Sequence, residues 1–202
     1  AISATLPVMI NLLDLTREEL RNRLEETGWP AYTATQIFEW IYQKDLRNTE
    51  EMTNLSREHR AELSERFDLF ALDPLEVRES ADGTKKYLFP AGRGREGSVE
   101  CVFIPDGDRG TLCVSSQVGC RRGCGFCATG VMGFAGNLSA GEILSQYLSI
   151  PERERVTNIV FMGMGEPLDN LDSVLRGIRN LTDPKGLGLS NRRITLSTVG
   201  IH

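Results

Sequence analysis

Gly119–Gly130 reads GCRRGCGFCATG, which sets Cys120, Cys124 and Cys127 in a C-x3-C-x2-C spacing. The chain's other two cysteines, Cys101 and Cys113, lie just upstream, so all five fall in one short stretch. A disulfide scaffold spreads and pairs its cysteines; an odd, clustered set points to a reducing compartment and to metal or thiol chemistry. Zinc sites usually add a second C-x2-C pair or downstream histidines. The only histidines are His59 and His202, so a tetrahedral zinc ion has no obvious fourth ligand. Three thiolates on one tight loop suit a cubane 4Fe–4S cluster with one iron left open, as an enzyme needs in order to bind a cofactor there.

Downstream, the chain alternates. SAGEILSQYLSI reads as a helix with Ser139 and Glu142 as a capping box. TNIVFMG is a short continuous apolar run that suits a buried parallel strand, NLDSVLRGIRNLTD a helix and NRRITLSTVG a strand. Strands alternating with helices imply βα units and a parallel sheet. Upstream, SVECVFIP and TLCVSSQV are strand candidates, and LEVRES and TKKYLFP flank the hairpin signal Asp82-Gly83. The first ~70 residues read as helical. Thr16 and Glu19 form a capping box, AYTATQIFEWIYQK carries a stripe at Ile37, Trp40, Ile41 and Lys44 broadened by Phe38 and Tyr42, and Ser56 caps a third helix. A boundary is expected in the glycine- and arginine-rich AGRGREG. The division is therefore helical 1–72, hairpin and linker 73–98, and an α/β unit over 99–202.

The 202 residues can bury a core without staples, and 40% hydrophobic with 25% charged residues is ordinary for a globular protein. No apolar run approaches the ~20 residues of a membrane helix. AISATLPVMINLLDLT lacks a basic start and is interrupted by Asn11 and Asp14, so no signal peptide is read and a cytoplasmic setting is expected. The net charge of −5 argues against bulk attraction to nucleic acid but leaves room for a local basic face. Arg93, Arg95, Arg109, Arg121, Arg122, Arg192 and Arg193 are its candidates; the alternative is a set of solvated arginines.

The cysteine spacing, with Phe126 as the aromatic of C-x3-C-x-aromatic-C, resembles the signature of the radical-SAM superfamily. The resemblance implies that Cys120, Cys124 and Cys127 hold three irons of a 4Fe–4S cluster. S-adenosyl-L-methionine chelates the fourth through its amino and carboxylate groups and is cleaved to a 5′-deoxyadenosyl radical. MGMGEPL, after the apolar run, is a glycine-rich turn at a strand end, where α/β folds bind ligands. It resembles the element that binds the methionine amino group, which assigns cofactor binding to Gly165 and Glu166; Ser197, in LSTVG, matches a further cofactor contact.

TLCVSSQVGC with CATG, FMGMGEPLDN, RRITLSTVGI, AYTATQIFEWIYQK and SVECVFIP are similar to one family, the RlmN/Cfr-type RNA adenine methyltransferases, from about residue 10 to the end. That resemblance implies a partial (β/α) radical-SAM barrel preceded by a small helical, RNA-binding accessory domain. It implies methylation of carbon 2 of an adenine in 23S rRNA, and in some members of tRNA, with a donor such as flavodoxin or ferredoxin supplying electrons. A cysteine late in the family's chain carries the methyl group. Cys113 matches the second cysteine, which takes the ring proton and resolves the protein–RNA crosslink as a disulfide; Glu100 matches an acid/base position. The family runs well beyond 300 residues and none of the five cysteines matches the methyl carrier, so this polypeptide by itself is expected not to complete methyl transfer and to leave apolar surface exposed. Methylation at carbon 8, a different radical-SAM activity, and a non-enzymatic iron–sulfur or zinc module contacting RNA are the alternatives.

Overall fold

The computed structural model describes residues 9–44, 46–92 and 95–200. Arg93, His202 and the first residues of the N-terminal apolar stretch lie outside these. A six-stranded sheet organises the molecule. Its order is β10 (Ile194–Leu196), β9 (Val156–Phe161), β6 (Arg109–Cys113), β5 (Ser98–Asp106), β4 (Lys85–Pro90), β3 (Glu76–Glu79). β6, β9 and β10 run parallel, and β5, β4 and β3 extend them as an antiparallel meander. Two helices serve the parallel part: α5 (Ala140–Leu148) leads into β9 and α6 (Leu171–Thr182) into β10. This is a partial α/β barrel wall.

The stretch 91–97 joins two paired strands, since β4 and β5 are in register from Lys85↔Phe103 to Pro90↔Ser98. The hairpin is therefore continuous with the sheet that follows. TLCVSSQV does not form one strand. It breaks after Cys113 because the Ser115 backbone is taken by a side chain: Ser115 N–H donates to Gln146 Oε1 at 2.8 Å and Gln146 Nε2 donates to the Ser115 carbonyl at 2.9 Å. NRRITLSTVG is a strand only over 194–196; Ser190 caps a short 3-10 turn over Asn191–Arg193 before it.

Alternation along the strands separates two faces. Val99, Cys101 and Phe103 of β5, Leu112 of β6 and Ile159 and Phe161 of β9 are buried with Ile143, Leu144 and Val174 of the helices in one apolar cluster. The opposite face carries Lys86, Leu88, Glu100, Val102, Thr111, Cys113, Asn158 and Val160, all partly or fully exposed. The N-terminal helices α1 (Arg17–Glu25), α2 (Tyr32–Tyr42) and α3 (Arg57–Arg66) belong to the same core through Leu20, Leu24, Ile37, Phe38, Ile41 and Leu63. The expected caps are present: Thr16 with Glu19, Ser139 with Glu142, and Ser56 accepting from His59 N–H. Lys44 is exposed and lies over the Trp40 ring, 3.7 Å from its centre, so the stripe of α2 ends there. A short parallel pair, β1 (Ile10–Asn11) and β2 (Phe67–Asp68), ties the two ends of the helical segment.

Buried amides set the helical layers on the sheet. Asn180 Nδ2 of α6 donates to the Leu15 carbonyl at 2.9 Å and to Tyr42 Oη at 3.1 Å. Gln146 is wholly buried and satisfies both backbone groups of Ser115. Gln146→Ala should lower the unfolding free energy by about 2–4 kcal/mol, because two buried backbone groups lose their partner. Urea unfolding checks this; an unchanged midpoint would mean that water replaces the amide there.

Candidate functional site

The cysteine loop is closed at its base by a second small sheet. β7 (Gln117–Gly119) pairs antiparallel with β8 (Phe134–Asn137), placing Gln117 opposite Asn137, and Cys120 N–H continues the ladder to the Gly133 carbonyl at 2.8 Å. Gly119 has φ +72°, and a Cβ there would collide with the Gly133 carbonyl, so only glycine starts this loop. Within the loop, Cys127 N–H donates to the Cys124 carbonyl and Gly130 N–H to the Cys127 carbonyl, both at 3.0 Å. Cys127 then opens α4 (Ala128–Val131). These turns bring the three cysteines to one side of a short segment.

The second wall is the turn after β9. Gly163 N–H donates to the Val114 carbonyl, Met164 N–H to Ser115 Oγ and Glu166 N–H to Gln117 Oε1. Gly165 has φ +101°, and a Cβ there would lie 2.6–2.8 Å from Gln117, so the close approach of the two segments requires glycine. Glu166 is 3% exposed. Its Oε1 accepts from Leu168 N–H at 3.0 Å and its Oε2 from Val199 N–H at 2.9 Å. Two bonds leave a carboxylate with free lone pairs for a cation.

Between these walls lies a cavity of ≈ 380 Å³ lined by Cys120, Cys124, Cys127, Gly165, Glu166 and Ser197. Arg122, Phe126, Met162 and Val199 line it as well. The volume falls within the ~300–1,000 Å³ of small-molecule sites. Phe126 (94% exposed), Met162 and Val199 leave an apolar rim open to solvent. Cys113 and Glu100 are not among the lining residues. They sit together on the half-exposed sheet face, on neighbouring strands, with Cys113 opposite Val102. Glu100 Oε1 accepts from Lys86 Nζ at 2.8 Å. The backbone N–H of Met162, which lines the cavity, bears on the Cys113 thiol.

All five cysteines are free thiols. Burial pushes Cys101 well above the ordinary thiol range and Cys113 upward, the latter partly offset by the Met162 N–H. Cys127 is shifted down, chiefly by the Gly130 N–H, helped by Thr129. Among the described residues no three His, Cys, Asp or Glu side chains converge on a single ion's position. A cubane asks for something else, one thiolate per iron, and three free cysteines on one cavity wall fit that donor set. Glu166, a buried carboxylate with spare acceptor capacity across the same cavity, fits an ammonium group.

Sequence reasoning missed the polar side chains behind the walls: Gln117, Asn137, Gln146 and Asn170, whose Nδ2 donates to the Ser116 and Leu138 carbonyls. Buried amides in otherwise apolar runs were the available signal. Three of the candidate arginines of the basic face stand in ion pairs, and two others contact uncharged groups. Arg122 pairs with Asp169, Arg95 with Glu142 and Arg109 with Asp106, while Arg121 lies over the Phe134 ring and Arg193 donates to Asn158.

Comparison with known proteins adds family and length. Residues 10–69 match the ribosomal RNA large subunit methyltransferase N-terminal domain, and residues 114–202 match the radical SAM superfamily. The chain is 52% identical over 190 residues to a protein of Parabacteroides distasonis named probable dual-specificity RNA methyltransferase RlmN, covering 94% of this chain and 55% of that one. It is 48% identical over 191 residues to the dual-specificity RNA methyltransferase RlmN of Pelobacter propionicus, covering 95% and 54%. A radical SAM methyltransferase structure from Sphaerobacter thermophilus superposes with a TM-score of 0.84 at 43% identity, over 95% of this chain and 57% of that one. The chain thus spans a little over half the length of the relatives it matches.

Thiol reactivity tests the site's electrostatics. In the metal-free chain, alkylation below the ordinary thiol pKa should reach Cys127 first, because its lowered pKa leaves more thiolate, and Cys101 last, because burial holds it protonated. Timed iodoacetamide labelling read by mass spectrometry gives the order; early modification of Cys101 would contradict the burial described.

Proposed function

We propose that the chain, whose residues 10–69 match the ribosomal RNA large subunit methyltransferase N-terminal domain and 114–202 the radical SAM superfamily, provides the cluster- and cofactor-binding half of an RNA adenine methyltransferase. The observation that carries the reading is the cavity that gathers Cys120, Cys124, Cys127, Gly165, Glu166 and Ser197. The cysteines would hold a 4Fe–4S cluster, Glu166 and the backbone at Gly165 the amino end of S-adenosylmethionine, and Ser197 a further part of it. When bound, the pair supplies a reduced iron centre and a cleavable sulfonium, and hence a carbon radical.

The chain's own residues divide the remaining work. Cys113 lies on the sheet face beside Glu100, next to the cavity and outside it. That is where a group acting on the substrate base, rather than on the cofactor, would stand. We assign Cys113 the thiol that removes the ring proton and resolves the crosslink, and Glu100, held by Lys86, an acid/base role. The substrate is an adenine of 23S rRNA, methylated at carbon 2, with tRNA as a second substrate; relatives named dual-specificity RNA methyltransferase support an action on RNA of more than one kind. Residues 1–72 form the accessory RNA-binding unit, and a flavodoxin- or ferredoxin-type donor reduces the cluster in a cytoplasmic setting. Among the described residues no helix is long and apolar enough to cross a membrane. On this reading the methyl-carrying cysteine falls in the part of the relatives' length that these residues do not match.

Anaerobic reconstitution with iron and sulfide tests the reading. The chain should take up a 4Fe–4S cluster whose reduced electron paramagnetic resonance signal shifts on adding S-adenosylmethionine, and Cys120→Ser, Cys124→Ser and Cys127→Ser should each abolish it while Cys113→Ser leaves it intact. Zinc binding with no cluster would overturn the assignment.

A further inference from the structure

The cysteine loop has little packing of its own. Phe126 is 94% and Val131 84% exposed. A Cβ added at Gly123 or Gly125 would meet nothing within 4 Å. Yet the loop must present three sulfurs at fixed positions relative to Glu166. Its first half carries Arg122, whose guanidinium makes a two-pronged ion pair with Asp169: Nε donates to Oδ2 at 2.8 Å and Nη2 to Oδ1. The two side chains are 30% and 16% exposed, so water screens the pair only in part. Planar, two-pronged pairing fixes orientation as well as distance.

Asp169 is not an arbitrary anchor. It stands on the 3-10 turn that Glu166 caps, and its N–H donates to the Glu166 carbonyl at 3.1 Å. Its carbonyl accepts from Asn137 Nδ2 at 3.3 Å, Asn137 Oδ1 accepts from Gln117 Nε2 at 2.7 Å, and Gln117 Oε1 accepts from Glu166 N–H at 2.9 Å. A backbone N–H can only donate, so Glu166 fixes which way Gln117 faces, and Gln117 fixes Asn137 in turn. The bonds close a ring from the loop base to the glutamate turn, and Arg122 joins the loop itself to that ring.

We propose that the Arg122–Asp169 ion pair is a latch that sets the cysteine loop against the Glu166 turn before any ligand binds, making Arg122, Asp169, Asn137 and Gln117 positioning residues for the cluster and its cofactor. The proposal rests on the cluster assignment above for its purpose, while the latch itself is a property of the metal-free chain.

The test compares the wild-type chain, Asp169→Asn, Arg122→Lys and the charge-swapped double variant Arg122→Asp/Asp169→Arg. Hydrogen exchange in the metal-free chain should quicken about tenfold in Asp169→Asn at the Cys120, Cys127, Gly130 and Glu166 amides, as losing a charge-assisted bond of ~1.5 kcal/mol implies. Exchange in α5 and β5 should not move. Arg122→Lys, which keeps the charge without the fork, should fall between, and the swapped pair should recover slow exchange. After reconstitution, the Asp169→Asn cluster signal should be broader than wild type and sharpen again in the swap. Unchanged loop exchange in Asp169→Asn, or a rise spread over the whole chain that the swap does not reverse, overturns the latch. A wild-type chain that takes up no cluster overturns the cluster assignment instead, and the exchange comparison still decides the latch.

Discussion

The carboxamide of Gln117 sits where the cysteine loop, the glutamate turn and the β7–β8 pair meet, and it is wholly buried. Its oxygen is committed to Glu166 N–H and its nitrogen to Asn137, so one side chain fixes the spacing of both walls of the cavity. Leaving either bond unmade in a buried position costs roughly 1–3 kcal/mol, which exceeds what a surface contact returns. The glycine at 165 follows from this, because any side chain there would occupy the space of Gln117. The break between β6 and β7 serves the same end. Once the chain leaves the main sheet at Cys113, the backbone of Ser115 to Gln117 is free to bond Gln146 and the turn carrying Met164.

Glu166 shows how a charged group is held ready without being neutralised. Its oxygens take N–H groups from Leu168, in its own turn, and from Val199, beyond β10. Both donors are backbone, fixed in place and uncharged, so they solvate the carboxylate without cancelling its charge. Arg122, the guanidinium on the same cavity wall, is directed to Asp169 instead. The cavity therefore has a buried carboxylate on one side and thiols on the other, a combination that suits a cation bound beside a metal cluster.

Much of this was legible in the sequence because the chemistry depends on residue types that are costly to place by chance. Cys120, Cys124 and Cys127 announced their loop by spacing, Thr16 and Ser139 announced helix starts by the glutamate three residues on, and the run to Phe161 announced a buried strand. What the sequence hid was partnership. TLCVSSQV looks like a strand throughout, and nothing local says that Gln146, on a helix, captures the backbone of Ser115. Arg122 looked like one of several surface arginines; only the fold brings Asp169 to it. The hairpin's relation to the rest was hidden likewise, since AGRGREG reads as a linker while the strands on either side of it pair along their length. Local pattern reports propensity and burial, and long-range hydrogen bonds between polar side chains leave no periodic trace.

The helical layer reaches the site through α6, and magnitudes decide which contacts do so. The ion pairs Arg17–Asp183 (2.8 Å), Arg176–Glu19 (3.0 Å) and Lys185–Glu39 (2.7 Å) join the N-terminal helices to α6 or the residues just after it, but they are partly exposed, and such pairs contribute about 0–1 kcal/mol each. Asn180 is 1% exposed and binds the Leu15 carbonyl and Tyr42 Oη, bonds whose loss would strand buried groups. At the other end of α6, Asn170 is 5% exposed and holds the Ser116 and Leu138 carbonyls beside the cavity. One helix thus carries a buried amide at each end, one gripping the helical layer and the other gripping the segment that leads into the cysteine loop. The ion pairs lie alongside this link, and the orientation of the helical layer relative to the site rests on the amides.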